Sequence, residues 1–174
     1  MLFFFTFDDQ ADVGTPEQIL NYCETAADAM RYPDKPRPEG EWVGAELARQ
    51  YEPLSPLLTT LVSSVTDLGT RFFLRLRETS TETFRRRFIK SWVDFATAVA
   101  KESEYRSQGH FPDLESYFTL RRLTIGTFPT FIMHELDMDI PDEIREHPIL
   151  AQLDTTAVDI IAISNVSLFF RGGC

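Results

Sequence analysis

Three carboxylates close the first apolar run of the chain, Phe3-Phe4-Phe5-Thr6-Phe7-Asp8-Asp9-Gln10-Ala11-Asp12. Residues four apart are neighbours on a helix, so a helix here puts Asp8 and Asp12 on one face. Phe4 and Phe5 lie one turn earlier on that face. Mg²⁺ takes oxygen ligands, commonly one or two carboxylates, with water and substrate phosphate in its other positions. Aromatic faces attract cations. A helix that offers both groups suits chemistry in which an allylic diphosphate ionises to a carbocation. The plainer reading is a helix end entering solvent, where acidic residues after an apolar run are common.

A second set lies in Tyr117-Phe118-Thr119-Leu120-Arg121-Arg122-Leu123-Thr124-Ile125-Gly126-Thr127-Phe128-Pro129. Arg121 and Arg122 sit among apolar neighbours, one turn before Gly126 and Pro129. Gly costs about 1 kcal/mol in a helix interior and Pro about 3, so the sequence predicts a broken helix. A break frees backbone groups that can face a cavity. An arginine one turn away could make bidentate hydrogen bonds to a diphosphate. The competing reading is a kinked core helix whose arginines reach out to solvent. Asn165 is a third candidate. It ends the apolar helical run Asp154–Asn165 and could ligate a metal through its side-chain oxygen, or simply cap the helix.

These residues need helices to hold them, and the chain reads as helix after helix. Thr15-Pro16-Glu17-Gln18 is a helix start, with Thr15 as N-cap and Gln18 closing a capping box. That helix continues through Ile19, Cys23, Ala26 and Met30 at helical spacing. The stretch 32–40 holds Pro33, Pro36 and Pro38 and reads as a loop. Helices are expected near 41–51 and from Pro56 to Phe73. Another starts at Thr79-Ser80, with a buried stripe of Phe84, Phe88, Trp92, Phe95, Ala96 and Val99. Gln108–Pro112 breaks the chain. A helical segment 113–136 is interrupted near Gly126 and Pro129. A short helix at 141–147 and a last one at 151–170 complete the series. No strand or hairpin signal occurs. The fold class is all-α, one helical bundle.

At 174 residues the chain can bury about 70% of its unfolded surface in a single domain. A net charge of −10 argues against nucleic acid as a partner. The basic clusters Arg71–Arg77 and Arg85–Lys90 read as solvated helix faces. Cys23 and Cys174 make no disulfide framework, which favours a reducing, cytoplasmic setting. No apolar run reaches the ~20 residues that span a bilayer.

The ordered set resembles the class I terpene synthases, particularly the fungal sesquiterpene cyclase type. It runs from an aromatic stretch into D-D-x-x-D, then R-R-x-T-x-G-x-x-P, then an apolar helix ending in S-N. The resemblance implies an all-α class I terpenoid synthase-like helical bundle, incomplete at both ends. It implies Mg²⁺ as cofactor, with Mn²⁺ an alternative, and a prenyl diphosphate substrate, farnesyl diphosphate first among them. Asp8 matches the leading metal-binding aspartate, with Asp9 and Asp12 completing the motif. Arg122 matches the arginine that senses diphosphate, with Arg121 beside it. Ile125 matches the linker position and Gly126 the effector at the helix break. Phe4 and Phe5 match cavity-lining aromatics. Asn165 matches the first position of a second metal motif, N-D-x-x-S-x-x-x-E.

The departures lie in that second motif, whose Ser and Glu positions are Phe169 and Gly173 here. Val166-Ser167 can be encoded by GTAAGT, a consensus intron start. The expectation is therefore one partial terpene synthase domain over 1–174, with 166–174 a non-native tail, inactive in this form. The alternatives are a non-catalytic helical remnant and an isoprenyl diphosphate synthase. The latter would need a second aspartate-rich motif, and its candidate, Asp137-Met138-Asp139-Ile140-Pro141-Asp142-Glu143, reads as a solvated turn. Helices amphipathic toward missing partners predict an exposed apolar patch and self-association.

Overall fold

A computed structural model describes residues 2–36, 38–42 and 78–171. Seven helices lie wholly within the described residues: α1 (Leu2–Val13), α2 (Pro16–Arg31), α3 (Glu82–Gln108), α4 (Leu114–Thr124), α5 (Thr127–Met133), α6 (Asp142–Arg145) and α7 (Pro148–Arg171). No described residue is in a strand. The helices expected near 41–51 and 56–73 lie outside the described residues, apart from Glu41 and Trp42.

Local chemistry sets the helix ends. Thr15 Oγ1 accepts from the Gln18 backbone N–H at 3.3 Å, and Thr15 N–H donates to Gln18 Oε1 at 2.9 Å. Two otherwise orphaned amides are thus satisfied reciprocally, with Pro16 in the first turn where no amide is needed. Thr81, not the Thr79-Ser80 pair, caps α3 through Phe84 N–H at 3.1 Å. The helix ends on Gly109 in the left-handed conformation at φ 60°. Asp113 caps α4 through Ser116 N–H at 2.8 Å. The last helix starts at Pro148, three residues before the expected Ala151, because a proline fits a first turn.

The long α3 is the axis of the bundle. Helices α1, α2, α4 and α5 all pack on it, and α7 packs on α4 and α5. Its buried stripe is the expected one, Phe84, Phe88, Trp92, Phe95, Ala96 and Val99. Alanines at 26, 27, 29, 96 and 100 are buried in the same core, and their small side chains let α2 and α3 approach closely. Phe7 is fully buried, with its ring centroid 4.8 Å from that of Trp92 and 5.7 Å from that of Phe95. Edge-to-face aromatic packing of this kind fastens α1 to α3. Burial of Cys23 in the α2–α3 seam, opposed by a hydrogen bond with Thr97, pushes its thiol up to about 11.

One cluster corrects the sequence reading. The run Arg85–Lys90 is not uniformly a solvated face. The Arg87 side chain is only 10% exposed, and it donates from Nη1 to Glu135 (2.9 Å), from Nη2 to Asp142 (2.6 Å) and from Nη2 to the Ile140 carbonyl (2.8 Å). Buried Glu135 also accepts from Arg145, which bonds Asp154 of α7 at 2.7 Å. The network joins α3, the chain after α5, α6 and α7.

Helix α7 carries apolar side chains on its outer side as well as against the bundle. Val158 and Ala162 are buried, while Ile149, Leu153, Ile160, Ile161 and Ile163 are exposed. Among the described residues, no helix is long and apolar enough to cross a membrane.

Candidate functional site

The C-terminal half of α1 is held in place by the end of α3. Ser103 Oγ donates to the Gly14 carbonyl at 3.0 Å, and Arg106 Nη2 donates to the Ala11 carbonyl at 3.0 Å. These bonds satisfy carbonyls that a helix end otherwise leaves open. Arg106 Nη1 also lies 3.7 Å from Asp12, where its charge offsets the negative end of the helix dipole. On the other side, Trp42 Nε1 donates to Gln10 Oε1 at 2.5 Å. With Phe7 buried one residue before it, Asp8 leaves the core at a fixed point.

Asp8, Asp9 and Asp12 all reach solvent. Partial burial of the Asp8 carboxyl raises its pKa first. The negative charges of Asp12 and Asp9 raise it further, and the positive charge of Arg121 opposes them. Asp8 therefore lies within the field of Arg121 on α4.

Helix α4 breaks at Gly126, whose φ of 73° is left-handed. Ile125 caps α4, and its N–H donates to the Arg121 carbonyl at 3.1 Å. Pro129 does not contribute to the break. It is the third residue of α5, in a first turn where a missing N–H costs little. A Cβ on Gly126 would lie 3.7 Å from Phe95, so the break rests on the aromatic cluster that also holds Phe7. Phe4 belongs to the same cluster, 5.2 Å from Trp92 and 5.9 Å from Phe95. The Phe5 side chain lies outside the described residues.

The two arginines turn toward α7. Arg121 Nη2 donates to Asn165 Oδ1 at 2.9 Å, while its Nε is buried without a partner among the described residues. Arg122 donates from Nε and Nη2 to the two oxygens of Asp159, at 2.6 and 2.9 Å. That pair holds the Asp159 carboxyl below its ordinary range. Arg121 and Asn165 thus meet across α4 and α7, with Arg122 and Asp159 a second pair between the same helices, and Asp8 on α1 feels the charge of Arg121.

The donor chemistry fits a divalent cation. Asp8 and Asp12 are crowded carboxylates one turn apart, and a cation between them would relieve their repulsion. Among the described residues, no three His, Cys, Asp or Glu side chains converge to hold an ion by themselves. Water and substrate oxygens would have to complete a Mg²⁺ shell, as that ion commonly arranges. A cavity of about 910 Å³ between the end of α2 and the first half of α3, lined partly by Met30, Arg31, Ile89 and Val93, includes none of these residues.

The profile of the terpene synthase family 2 C-terminal metal-binding domain matches residues 1–165. The chain belongs to the terpene synthase family. It is 33% identical over 165 residues to a Delta(6)-protoilludene synthase of Stereum hirsutum and 32% identical to one of Armillaria ostoyae. Each alignment covers 95% of this chain, but only 39% and 42% of the respective relatives. Sesquiterpene synthase 9 of Postia placenta is 28% identical over the same span. In fold, the chain is similar to the crystal structure of the ancestrally reconstructed SVS_A2 protein, with a TM-score of 0.70 at 24% identity over 94% of this chain and 44% of that one. The all-α terpenoid synthase fold is therefore the fold of this chain. The family is one of metal-binding domains.

Asp159 and the Glu135 network did not emerge from the sequence. Asp159 carried one signal, a lone charge in the apolar run Val158-Asp159-Ile160-Ile161. Glu135 carried none, because its arginine partners stand 48 and 10 residues away. In the candidate second aspartate motif, Asp137 and Asp139 are exposed and Asp142 is paired with Arg86 and Arg87.

Proposed function

We propose that this chain forms the metal- and diphosphate-binding part of a sesquiterpene cyclase, which ionises farnesyl diphosphate with Mg²⁺ and cyclises the resulting cation. The observation that carries the reading is the pairing of Arg121 with Asn165 and of Arg122 with Asp159 across α4 and α7, beside the carboxylates of Asp8 and Asp12, the first of which feels the charge of Arg121. The similarity to enzymes named as sesquiterpene synthases supplies the fifteen-carbon substrate class.

Asp8 and Asp12 would hold Mg²⁺, with Asp9 assisting, and Asn165 would contribute a ligand from the second metal motif. The ion would supply Lewis-acid stabilisation of the departing diphosphate. Arg121 and Arg122 would bind that group through charge-assisted hydrogen bonds and offset the negative charge that builds as it leaves. Ile125 and Gly126 would set the position of the helix break against the cavity. Phe4 and Phe5 would present ring faces to the cation and exclude water. Ionisation needs no general base.

The exposed apolar face of α7 favours a second reading. In it, the chain binds Mg²⁺ and diphosphate without enclosing the cation and is inactive by itself. Gas chromatography of volatiles after incubation with farnesyl diphosphate and Mg²⁺ separates the two. Sesquiterpene hydrocarbons that vanish in Asp8→Ala establish the cyclase. Binding without products establishes the second reading. Elongated diphosphates would contradict both and indicate a prenyl chain-lengthening enzyme.

A further inference from the structure

Arg122 is bound on one edge only. Its Nε and Nη2 donate to Asp159 at 2.6 and 2.9 Å, and it makes no other hydrogen bond among the described residues. A guanidinium carries five N–H donors in a rigid plane. Asp159 takes the side-on pair. Both Nη1 hydrogens and the second Nη2 hydrogen remain, and the outer Nη1 hydrogen with that Nη2 hydrogen forms the end-on fork. Because the group is planar, fixing one edge fixes the direction of the other.

We propose that Asp159 is a positioning residue for Arg122: it holds the side-on edge of the guanidinium so that the end-on fork is presented to the substrate diphosphate. The inference rests on the reading of Arg122 as a diphosphate contact. It adds Asp159, which touches no substrate and acts through the arginine.

Three observations support it. The Asp159 backbone belongs to a packed turn, directly after buried Val158 and three residues before buried Ala162. Its carboxylate therefore has a firm base. Both members of the pair are about one-third exposed, so the free fork is within reach of a ligand. The neighbouring arginine is held by the same helix, through Asn165. An arginine whose plane is already fixed loses less rotational freedom on binding than a free one, and affinity rises accordingly.

The alternative role for Asp159 is a competitor that diphosphate must displace. The two roles give opposite signs. Isothermal titration of the full chain with inorganic diphosphate in Mg²⁺ buffer tests them, using Asp159→Ala, near-isosteric Asp159→Asn, Arg122→Lys and the double variant Arg122→Lys/Asp159→Ala. Circular dichroism melts check each fold. Positioning predicts about tenfold weaker binding in Asp159→Ala and a smaller loss in Asp159→Asn. It also predicts no further loss when Asp159→Ala is added to Arg122→Lys, a coupling that a purely structural role would not produce. If Asp159→Ala does not fold, Asp159→Asn alone decides, by weakening binding or not. Unchanged or tighter binding in the folded Asp159 variants, with Arg122→Lys weakened, would overturn the inference and leave Arg122 as a diphosphate contact. Unchanged binding in Arg122→Lys would overturn that contact and the inference with it.

Discussion

Arg121 Nη2 and Asn165 Oδ1 lie 2.9 Å apart, joining the helix before the break to the last helix across 44 residues of sequence. The positive charge of the same guanidinium opposes the rise of the Asp8 pKa that burial and the neighbouring carboxylates cause. Its Nε is buried and already lacks a partner among the described residues. Asn165→Leu would remove the bond to the half-buried Nη2, and a hydrogen bond of this kind contributes about 0.5–1.5 kcal/mol. Urea denaturation should show a loss in that range. A variant as stable as the parent would show that the bond contributes nothing.

Glu135 is a stronger test of the scaffold. It is buried between Arg87 and Arg145, and removing one member of a buried ion pair costs about 3–5 kcal/mol. Glu135→Gln should fall near that range. Asp94→Asn, which breaks the exposed Lys90–Asp94 pair, should change stability by about 1 kcal/mol or less. Equal effects in the two variants would contradict the network. The Arg87 guanidinium holds the Asp142 carboxyl below its ordinary pKa. A depressed folded-state pKa stabilises above the unfolded-state value and loses that effect as pH falls through the folded one. Acid denaturation should therefore shift to higher pH in Arg87→Met.

Gly126 is required for its backbone and not for space. A Cβ there meets Phe95 at an ordinary contact distance of 3.7 Å, but φ is 73°. Left-handed geometry costs an L-residue about 1–2 kcal/mol. Gly126→Ala should lose that much in chemical denaturation, and Gly126→Asn less, because Asn tolerates the conformation. Full stability in Gly126→Ala would mean that the break shifts elsewhere.

Cys23 should be unreactive in the folded protein. Burial raises its thiol to about 11, so little thiolate forms near pH 8.5. Iodoacetamide should modify it slowly in buffer and rapidly in urea, as read by mass spectrometry of the Cys23 peptide. The sign for stability follows. A raised folded-state pKa stabilises fully below the unfolded value and loses that effect as pH rises toward 11. Fast labelling under native conditions would contradict the buried seam.

The legible parts of the fold were those written locally. Thr15 with Gln18, the Gly109 stop and the α3 stripe each need only neighbours within a few residues, and each is where the sequence put it. The order of the acidic, arginine and asparagine segments was legible as a resemblance. What pairs with what was not. Arg87 stands in a run of charges that local reasoning assigns to solvent, yet its partners lie 48 and 55 residues away. Pro129 looked like a breaker because its place in a first turn depends on Gly126 having already ended α4. Asp159 gained meaning only when Arg122 was found opposite it.

The most direct measurement is calorimetric titration of farnesyl diphosphate into the chain, with and without Mg²⁺, in the parent and in Asp8→Ala. Removing a carboxylate from a two-carboxylate cation site should weaken Mg²⁺-dependent binding about tenfold or more, the equivalent of at least ~1.4 kcal/mol. The expected result is binding that requires Mg²⁺ and falls by that factor in Asp8→Ala. Binding of equal strength without Mg²⁺, or undiminished in Asp8→Ala, would contradict a metal-assisted diphosphate site on α1, α4 and α7.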